Sequence, residues 1–246
     1  MHRFFLPPEN IGKSHVRFPA ETAHQIHAVL RLRPGHEVIV LNNGGQAFRV
    51  RLEDIRPAAV TGIILDEIPL TGEPKTHLTL FIGLTQREKF EWVLQKGTEV
   101  GVSAFIPLIT RRTLVREIET AHNKQGRWQR IVQEAAEQCG RGRIPKVHLP
   151  LELPQALVYP WPGPTLRLVA WENETQNGLR QILQHLPVTP QQVALMIGPE
   201  GGLSLDEVTQ AQEAGWVTCS LGTRILRMET AAIVGAALTL HELGDL

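Results

Sequence analysis

The sequence predicts an α/β protein in which a small β-rich domain precedes a larger domain built on a parallel sheet. Three features carry that expectation. Two alternating runs, Glu37 to Leu41 and Ala47 to Leu52, flank the turn Asn42-Asn43-Gly44-Gly45, as in a hairpin. From Leu78 onward, short apolar strands alternate with amphipathic helices, the order that yields a parallel sheet covered on its faces. Between the two textures lies Asp66 to Lys75, with two prolines and a glycine, a candidate linker. The domains are therefore expected at 1–72 and 73–246.

In the first domain, Glu21 to Arg33 places Ala23, Ile26, Val29 and Leu30 on one helical face, and Arg33-Pro34-Gly35 stops the helix. A third strand is expected at Val60 to Leu65. In the second domain, strands are expected at Leu78 to Ile82, Val102 to Ile109, Leu166 to Trp171, Val193 to Ile197 and Val217 to Leu221. Helices are expected at Arg87 to Glu99, Arg127 to Cys139, Leu179 to Leu186, Ser204 to Ala214 and Glu229 to Leu243. Ser204 with Glu207 forms a capping box. The last helix is apolar nearly all round, so it must be covered on more than one side. Pro160-Trp161-Pro162-Gly163-Pro164 reads as a loop.

Composition narrows the function. Hydrophobic residues at 42% and charged residues at 20% fit a soluble globular protein rather than a disordered chain. The longest apolar run, Ala231 to Leu238, is too short to span a bilayer, and MHRFFLPPEN is no secretory signal. Two cysteines, Cys139 and Cys219, exclude a disulfide framework and point to the cytoplasm. His24 and His27 have no third partner in sequence, so no metal is expected. No Ser/His/Asp or Cys/His arrangement is legible, and hydrolase chemistry is not indicated.

The formal net charge is zero, yet it is a sum of opposed blocks. Residues 1–60 carry +3, 61–110 carry −2, 111–146 carry +5 and 147–246 carry −6. The run Arg111, Arg112, Arg116, Lys124, Arg127, Arg130, Arg141, Arg143 and Lys146 suits a polyanion, unless it is only a solvated face.

Two stretches have the form of ligand loops. Ile197-Gly198-Pro199-Glu200-Gly201-Gly202-Leu203-Ser204 leaves a buried strand and enters a capped helix, the place where open α/β sheets bind ligands. It has no P-loop Lys-Ser/Thr, and Glu200 disfavours a phosphate. A neutral or cationic ligand fits better. A tight strand-to-helix turn with no ligand is the plainer alternative. Leu221-Gly222-Thr223-Arg224-Ile225-Leu226-Arg227-Met228-Glu229 also leaves a strand through glycine and enters a helix. Its arginines either pair with Glu229 or Glu200, or clamp an anionic group.

IGPEGGLSLDE and LGTRILRMETA resemble the two carboxy-terminal signatures of the 16S ribosomal RNA uridine-N3 methyltransferases, a family of the trefoil-knot (SPOUT) superfamily. MHRFFLPPE, HAVLRLRPGHEV, LTLFIGLTQREKFEWVLQKGTEVGVSAFIPLITRR and RWQRIVQEAAEQCGRGRIPKV stand in family order, so the resemblance covers nearly the whole chain. Two positions depart from the usual pattern: Met228 replaces a smaller residue, and Asn42-Asn43-Gly44-Gly45 replaces an Asp-Gly turn.

The resemblance implies a PUA-like β-barrel at 1–72 and an α/β trefoil-knot methyltransferase domain at 73–246. It implies S-adenosylmethionine held by Ile197, Gly198, Pro199, Glu200, Gly201, Leu221, Gly222, Ile225, Leu226 and Arg227. Arg227 and Glu229 become the catalytic candidates. Arg3, Arg17, Arg31, Arg33, Arg111, Arg112, Arg141 and Arg143 become the RNA surface. The implied partners are 16S rRNA in the small ribosomal subunit and a second copy of the chain, joined through the knot region. Two alternatives stand beside this: the same scaffold acting on another RNA position or a ribose 2′-hydroxyl, and a non-catalytic RNA-binding assembly factor.

Overall fold

The computed structural model describes residues 1–113 and 118–246, and side chains outside 114–123. Arg116 of the basic run lies outside the described residues. Two compact units divide the chain: Met1–Glu73 with Ala136–Ile144, and Pro74–Ala135 with Pro145–Leu246. Residues 136–144, counted with the second domain in the sequence reading, thus fold with the first. The reason is local. Ala136 packs with Phe5, Leu41 and Ala47, and Glu137 Oε1 accepts from the Phe5 N–H at 3.0 Å.

The first unit holds β1 (Arg3–Phe5), β2 (His15–Phe18), β3 (Glu37–Leu41), β4 (Ala47–Arg56) and β5 (Ala59–Ile68). They form one sheet in the order β1-β3-β4-β5-β2, parallel between β1 and β3 and antiparallel elsewhere. Register shifts in β4, at Arg49/Val50 and Leu52/Asp54, bend it. The sheet curls over Phe4, Val16, Phe18, Ile26, Val38, Val50 and Val60. It stays open, because β1 and β2 are its edges and no ladder joins them among the described residues. The closed PUA-like barrel implied by the resemblance is here a half-barrel, since closure requires the edge strands to pair.

The β3–β4 turn forms as expected, with Asn42 Oδ1 accepting from the N–H groups of Gly44 and Gln46 at 2.8 and 3.1 Å. The helix expected to reach Arg33 is shorter. After α1 (Ala20–His24) the chain widens into a π turn at Gln25–Val29. The N–H groups of Leu30 and Leu32 reach back to Gln25 and Ile26, and Arg31 adopts φ +52°. Pro34 disfavours helical backbone at Arg33, so the chain leaves early.

The second unit runs β6 (His77–Gly83), α2 (Arg87–Val100), β7 (Ala104–Ile109), α3 (Ile118–Cys139), β8 (Lys146–Val147), β9 (Leu151–Glu152) and α4 (Leu153–Leu157). It continues with β10 (Leu166–Ala170), α5 (Leu179–Gln184), β11 (Gln192–Ile197), α6 (Leu205–Glu213), β12 (Val217–Cys219) and α7 (Met228–Glu242). The end of α3 belongs to the first unit. The sheet is parallel throughout, in the order β12-β10-β11-β6-β7-β8, with β9 also on β7.

One face of that sheet, with Phe81, Ile106, Val169 and Met196, packs on Val208 and Ala211 of α6 and on Trp216. α7 packs on β6 and β11, and against α2 and α5. It lies so close to β11 that a Cβ on Gly235 would stand 2.9 Å from Leu195 Cδ2. Among the described residues, no helix is long and apolar enough to cross a membrane.

Candidate active site

A cleft of about 470 Å³ opens at the carboxyl ends of β10, β11 and β12. Three loops line it. The first is the glycine loop after β11, which supplies Ile197, Gly198, Pro199, Glu200 and Gly201. It turns tightly, with the Gly202 N–H donating to the Pro199 carbonyl at 2.8 Å and Gly202 at φ +68°. The Ser204–Glu207 capping box then starts α6, with the Ser204 N–H donating to Glu207 Oε2 at 2.8 Å. The loop presses on β6. A Cβ on Gly83 would stand 2.3 Å from the Pro199 nitrogen, so only glycine ends that strand here.

The second loop, after β12, supplies Leu221, Gly222, Ile225, Leu226, Arg227 and Glu229. Ser220 holds its start, accepting from the Gly222 N–H at 3.3 Å, and Gly222 adopts φ +125°. Ile225, 85% exposed, offers the cleft an apolar wall. Arg227 is the N-cap of α7, so the helix amino terminus opens into the cleft with Glu229 in its first turn. Met228, the departure from the family pattern, is buried at the start of the helix and also lines the cleft.

The sequence left open whether the arginines pair with Glu229 or Glu200. Among the described residues, Arg227 makes no ion pair, and Glu229 Oε2 is buried without a hydrogen-bond partner. Glu200 is engaged elsewhere. It accepts from Thr85 Oγ1 and from Lys89 Nζ, the latter at 3.2 Å. Burial works against its ionisation, but these bonds and the lysine charge hold its carboxyl below the usual range.

Sequence reasoning missed the third loop, after β10. Trp171 and Glu172 line the cleft, and Trp171 Nε1 is buried without an acceptor among the described residues. Glu174 pins this loop, taking the Thr218 hydroxyl at 2.6 Å and the N–H groups of Gln176 and Asn177 at 2.7 and 3.0 Å. Lys89 of α2 was missed as well. Neither carries a glycine signature, and only the strand order brings them to the cleft.

The expected RNA residues divide between the units. In the first, Arg17, Arg31, Arg33 and Arg143 are exposed, and Arg3 is half-buried beside Gly140. Arg141 corrects the expectation. It is 5% exposed and pairs with Glu73 at 3.2 and 2.9 Å, so its charge is already matched inside the protein. In the second unit, Arg111 and Arg112 are exposed but engaged. Arg111 bonds Asp206 at 3.0 Å, and Arg112 Nη1 donates to the Gly201 carbonyl at 2.8 Å. Arg127 pairs with Glu91.

A parallel sheet with three loops around a cleft at the carboxyl ends of its strands marks the second unit as an α/β domain of the kind that binds small ligands there. Residues 72–240 match the RNA methyltransferase domain family. Ribosomal RNA small subunit methyltransferase E of Synechocystis sp. is 37% identical over 96% of this chain and 76% of its own length. The Bacillus subtilis protein of the same name is 33% identical over 87% and 84%. The crystal structure of the Neisseria gonorrhoeae enzyme of that name, bound to S-adenosylmethionine, superposes with a TM-score of 0.86 at 32% identity, covering 96% and 95% of the two chains. A putative methyltransferase of Legionella pneumophila, in complex with the same cofactor, gives 0.86 at 31% identity over 96% of both chains. The chain belongs to the ribosomal RNA small subunit methyltransferase E family, and its second unit is a SPOUT-like methyltransferase fold.

Proposed function

We propose that this protein methylates N3 of a specific uridine in 16S rRNA of the small ribosomal subunit, using S-adenosylmethionine bound in the cleft. The supporting observation is the pair at the start of α7: an arginine without an ion pair among the described residues, two positions from a buried carboxyl oxygen without a partner. A buried polar atom without a partner calls for an explanation, and a bound ligand would supply one at Glu229.

The residues present fit the cofactor. The cleft volume suits a ligand of that size. Ile197, Leu221, Ile225 and Leu226 offer an apolar slot for adenine, with backbone donors and acceptors at Gly198 and Gly222. Glu200, already paired with Lys89, leaves no uncompensated charge of its own at the cleft, and Trp171 Nε1 and Glu229 Oε2 offer a buried donor and acceptor. When bound, the cofactor supplies an electrophilic methyl group.

The protein's part is to present the base and stabilise it. The uridine must leave any stack to enter the cleft. Arg227, exposed at the cleft in the free protein, then faces the negative charge that builds on the uracil as its N3 proton passes to water, and the bound base shields that pair from solvent. Glu229 Oε2 accepts from an N–H of the bound ligands, which aligns them. Arg3, Arg17, Arg31, Arg33 and Arg143 hold phosphates, and Arg111 and Arg112 link RNA to the cleft. The half-barrel acts as a PUA-like RNA-binding domain. The chain around the second cleft loop is threaded as a trefoil knot, the protein works in the cytoplasm, and a second copy covers the exposed face of α7. The test is single-turnover methylation at saturating RNA. Arg227→Ala is expected to slow it about a hundredfold with cofactor affinity retained. A normal rate with normal binding overturns the role given to Arg227.

A further inference from the structure

A second cavity, of about 520 Å³, opens at the other end of the same sheet. His77, Ala104, Lys146 and Gln192, the first residues of β6, β7, β8 and β11, line it. One strand length, about 17 Å, separates it from the active-site cleft. Lys75, His148 and Tyr159 also line it, with Pro160, Trp161 and Pro162 of the proline-rich loop, which the methylation reading does not use.

The chemistry of the lining is specific. Tyr159 and Trp161 stand with ring centroids 4.9 Å apart, and His148 lies 6.0 Å from Tyr159. Trp161 Nε1 is buried without an acceptor among the described residues. Lys75 and Lys146 are exposed, and neither side chain forms an ion pair among the described residues. Asp245, the acid that acts on Lys75, is bound to the backbone N–H groups of Lys75 and Thr76 at 3.0 and 2.9 Å. No carboxylate is among the described lining residues. Burial, with Lys146 and His77 nearby, keeps His148 below the ordinary imidazole range, so its ring is neutral at pH 7.

Aromatic faces receive a nucleobase of any sequence, and lysines beside them receive its phosphate. The side-chain amide of Gln192 adds a polar partner for a base edge. We propose that this cavity binds one nucleotide, its base against Tyr159 and Trp161 and its phosphate between Lys75 and Lys146. A free nucleotide and an unpaired nucleotide of an RNA strand share that chemistry. The site stands on its own residues and does not depend on the reading of the methylation cleft.

Calorimetric titration of the whole protein separates the two sources, with uridine monophosphate as one probe and a short single-stranded oligouridylate as the other. Both are run on wild type, on Lys75→Ala/Lys146→Ala and on Trp161→Leu. The lysine variant changes only exposed side chains and is expected to melt as wild type does. Each variant is expected to weaken binding on the order of tenfold with no change in S-adenosylhomocysteine affinity. Binding of the mononucleotide with that loss assigns the cavity to free nucleotides, and binding of the oligomer alone with that loss assigns it to an RNA strand. The proposal is overturned if neither probe binds, or if the lysine variant binds both as wild type does.

Discussion

Arg112 Nη1 donates to the carbonyl oxygen of Gly201 at 2.8 Å, and a Cβ on Gly201 would stand 3.1 Å from Arg112 Cβ. An arginine that the charge map assigns to RNA therefore also braces the first cleft loop. From sequence alone, Arg112 and Arg143 look equivalent. The structure separates them.

Arg112→Ala removes a charge-assisted bond to the loop and is expected to weaken S-adenosylmethionine binding by about tenfold. Arg143→Ala is expected to leave cofactor binding alone while weakening RNA binding and lowering its salt dependence by about one unit. Calorimetry with the cofactor and filter binding across salt check the pair. Equal cofactor affinity in both variants counts against the link.

Gly83, packed under the first cleft loop, and Gly222 in the second should fail for different reasons when substituted. A Cβ on Gly83 collides with the Pro199 backbone, so Gly83→Ala must displace the first loop. At Gly222 a Cβ meets open space, but φ is +125°, and Gly222→Val strains the turn at about 1–3 kcal/mol. Both variants are expected to lose cofactor binding. Thermal melts should show the strain at Gly222, and a Gly222→Val protein with normal stability would contradict it.

Glu174 makes the third loop sensitive to acid. The Thr218 hydroxyl, with the N–H groups of Gln176 and Asn177 and against a burial penalty, lowers its carboxyl from 4.5 to about 2. The folded value is the depressed one, so its stabilisation is complete above the unfolded value and is lost as pH falls through the folded value. Wild type should therefore melt above Glu174→Gln by a constant margin from pH 7 to about 5. That margin should shrink between pH 4.5 and about 2. A margin that does not change with pH would assign the effect to packing instead.

Much of the second unit was legible in the sequence because each element keeps a single period. Runs such as Leu78 to Ile82 are buried on both faces, and the capping box at Ser204 marks a helix start without ambiguity. The two glycine loops were legible for the same reason. The third loop was not, because Trp171 and Glu172 reach the cleft only through the placement of β10 between β11 and β12. β1 and β2 were missed because three or four residues give no readable alternation. Arg141 read as surface because a charge map does not see Glu73, 68 residues away in sequence. The amino half of α3 was missed because Ile118 to Gly126 has no apolar stripe.

The last helix bears on assembly. Ala236 is fully buried within the chain, so a charge there would break the fold rather than report on a partner. Ile233, Val234 and Ala237 are half-buried and Leu238 is 38% exposed, which leaves an apolar strip facing outward. Leu238→Arg is the cleaner probe. Wild type is expected to sediment as a dimer and Leu238→Arg as a folded monomer at micromolar concentration. A monomeric wild type contradicts the dimer.

The most direct measurement maps the methyl group itself. Purified small ribosomal subunits lacking the modification are incubated with the protein and S-adenosylmethionine, then digested and sequenced by mass spectrometry. One methyl group on the base of a single 16S uridine, with N3 confirmed against a synthetic standard and lost in Arg227→Ala, is the expected result. A methyl group on a ribose or on another base, or none with the cofactor bound, would contradict the account.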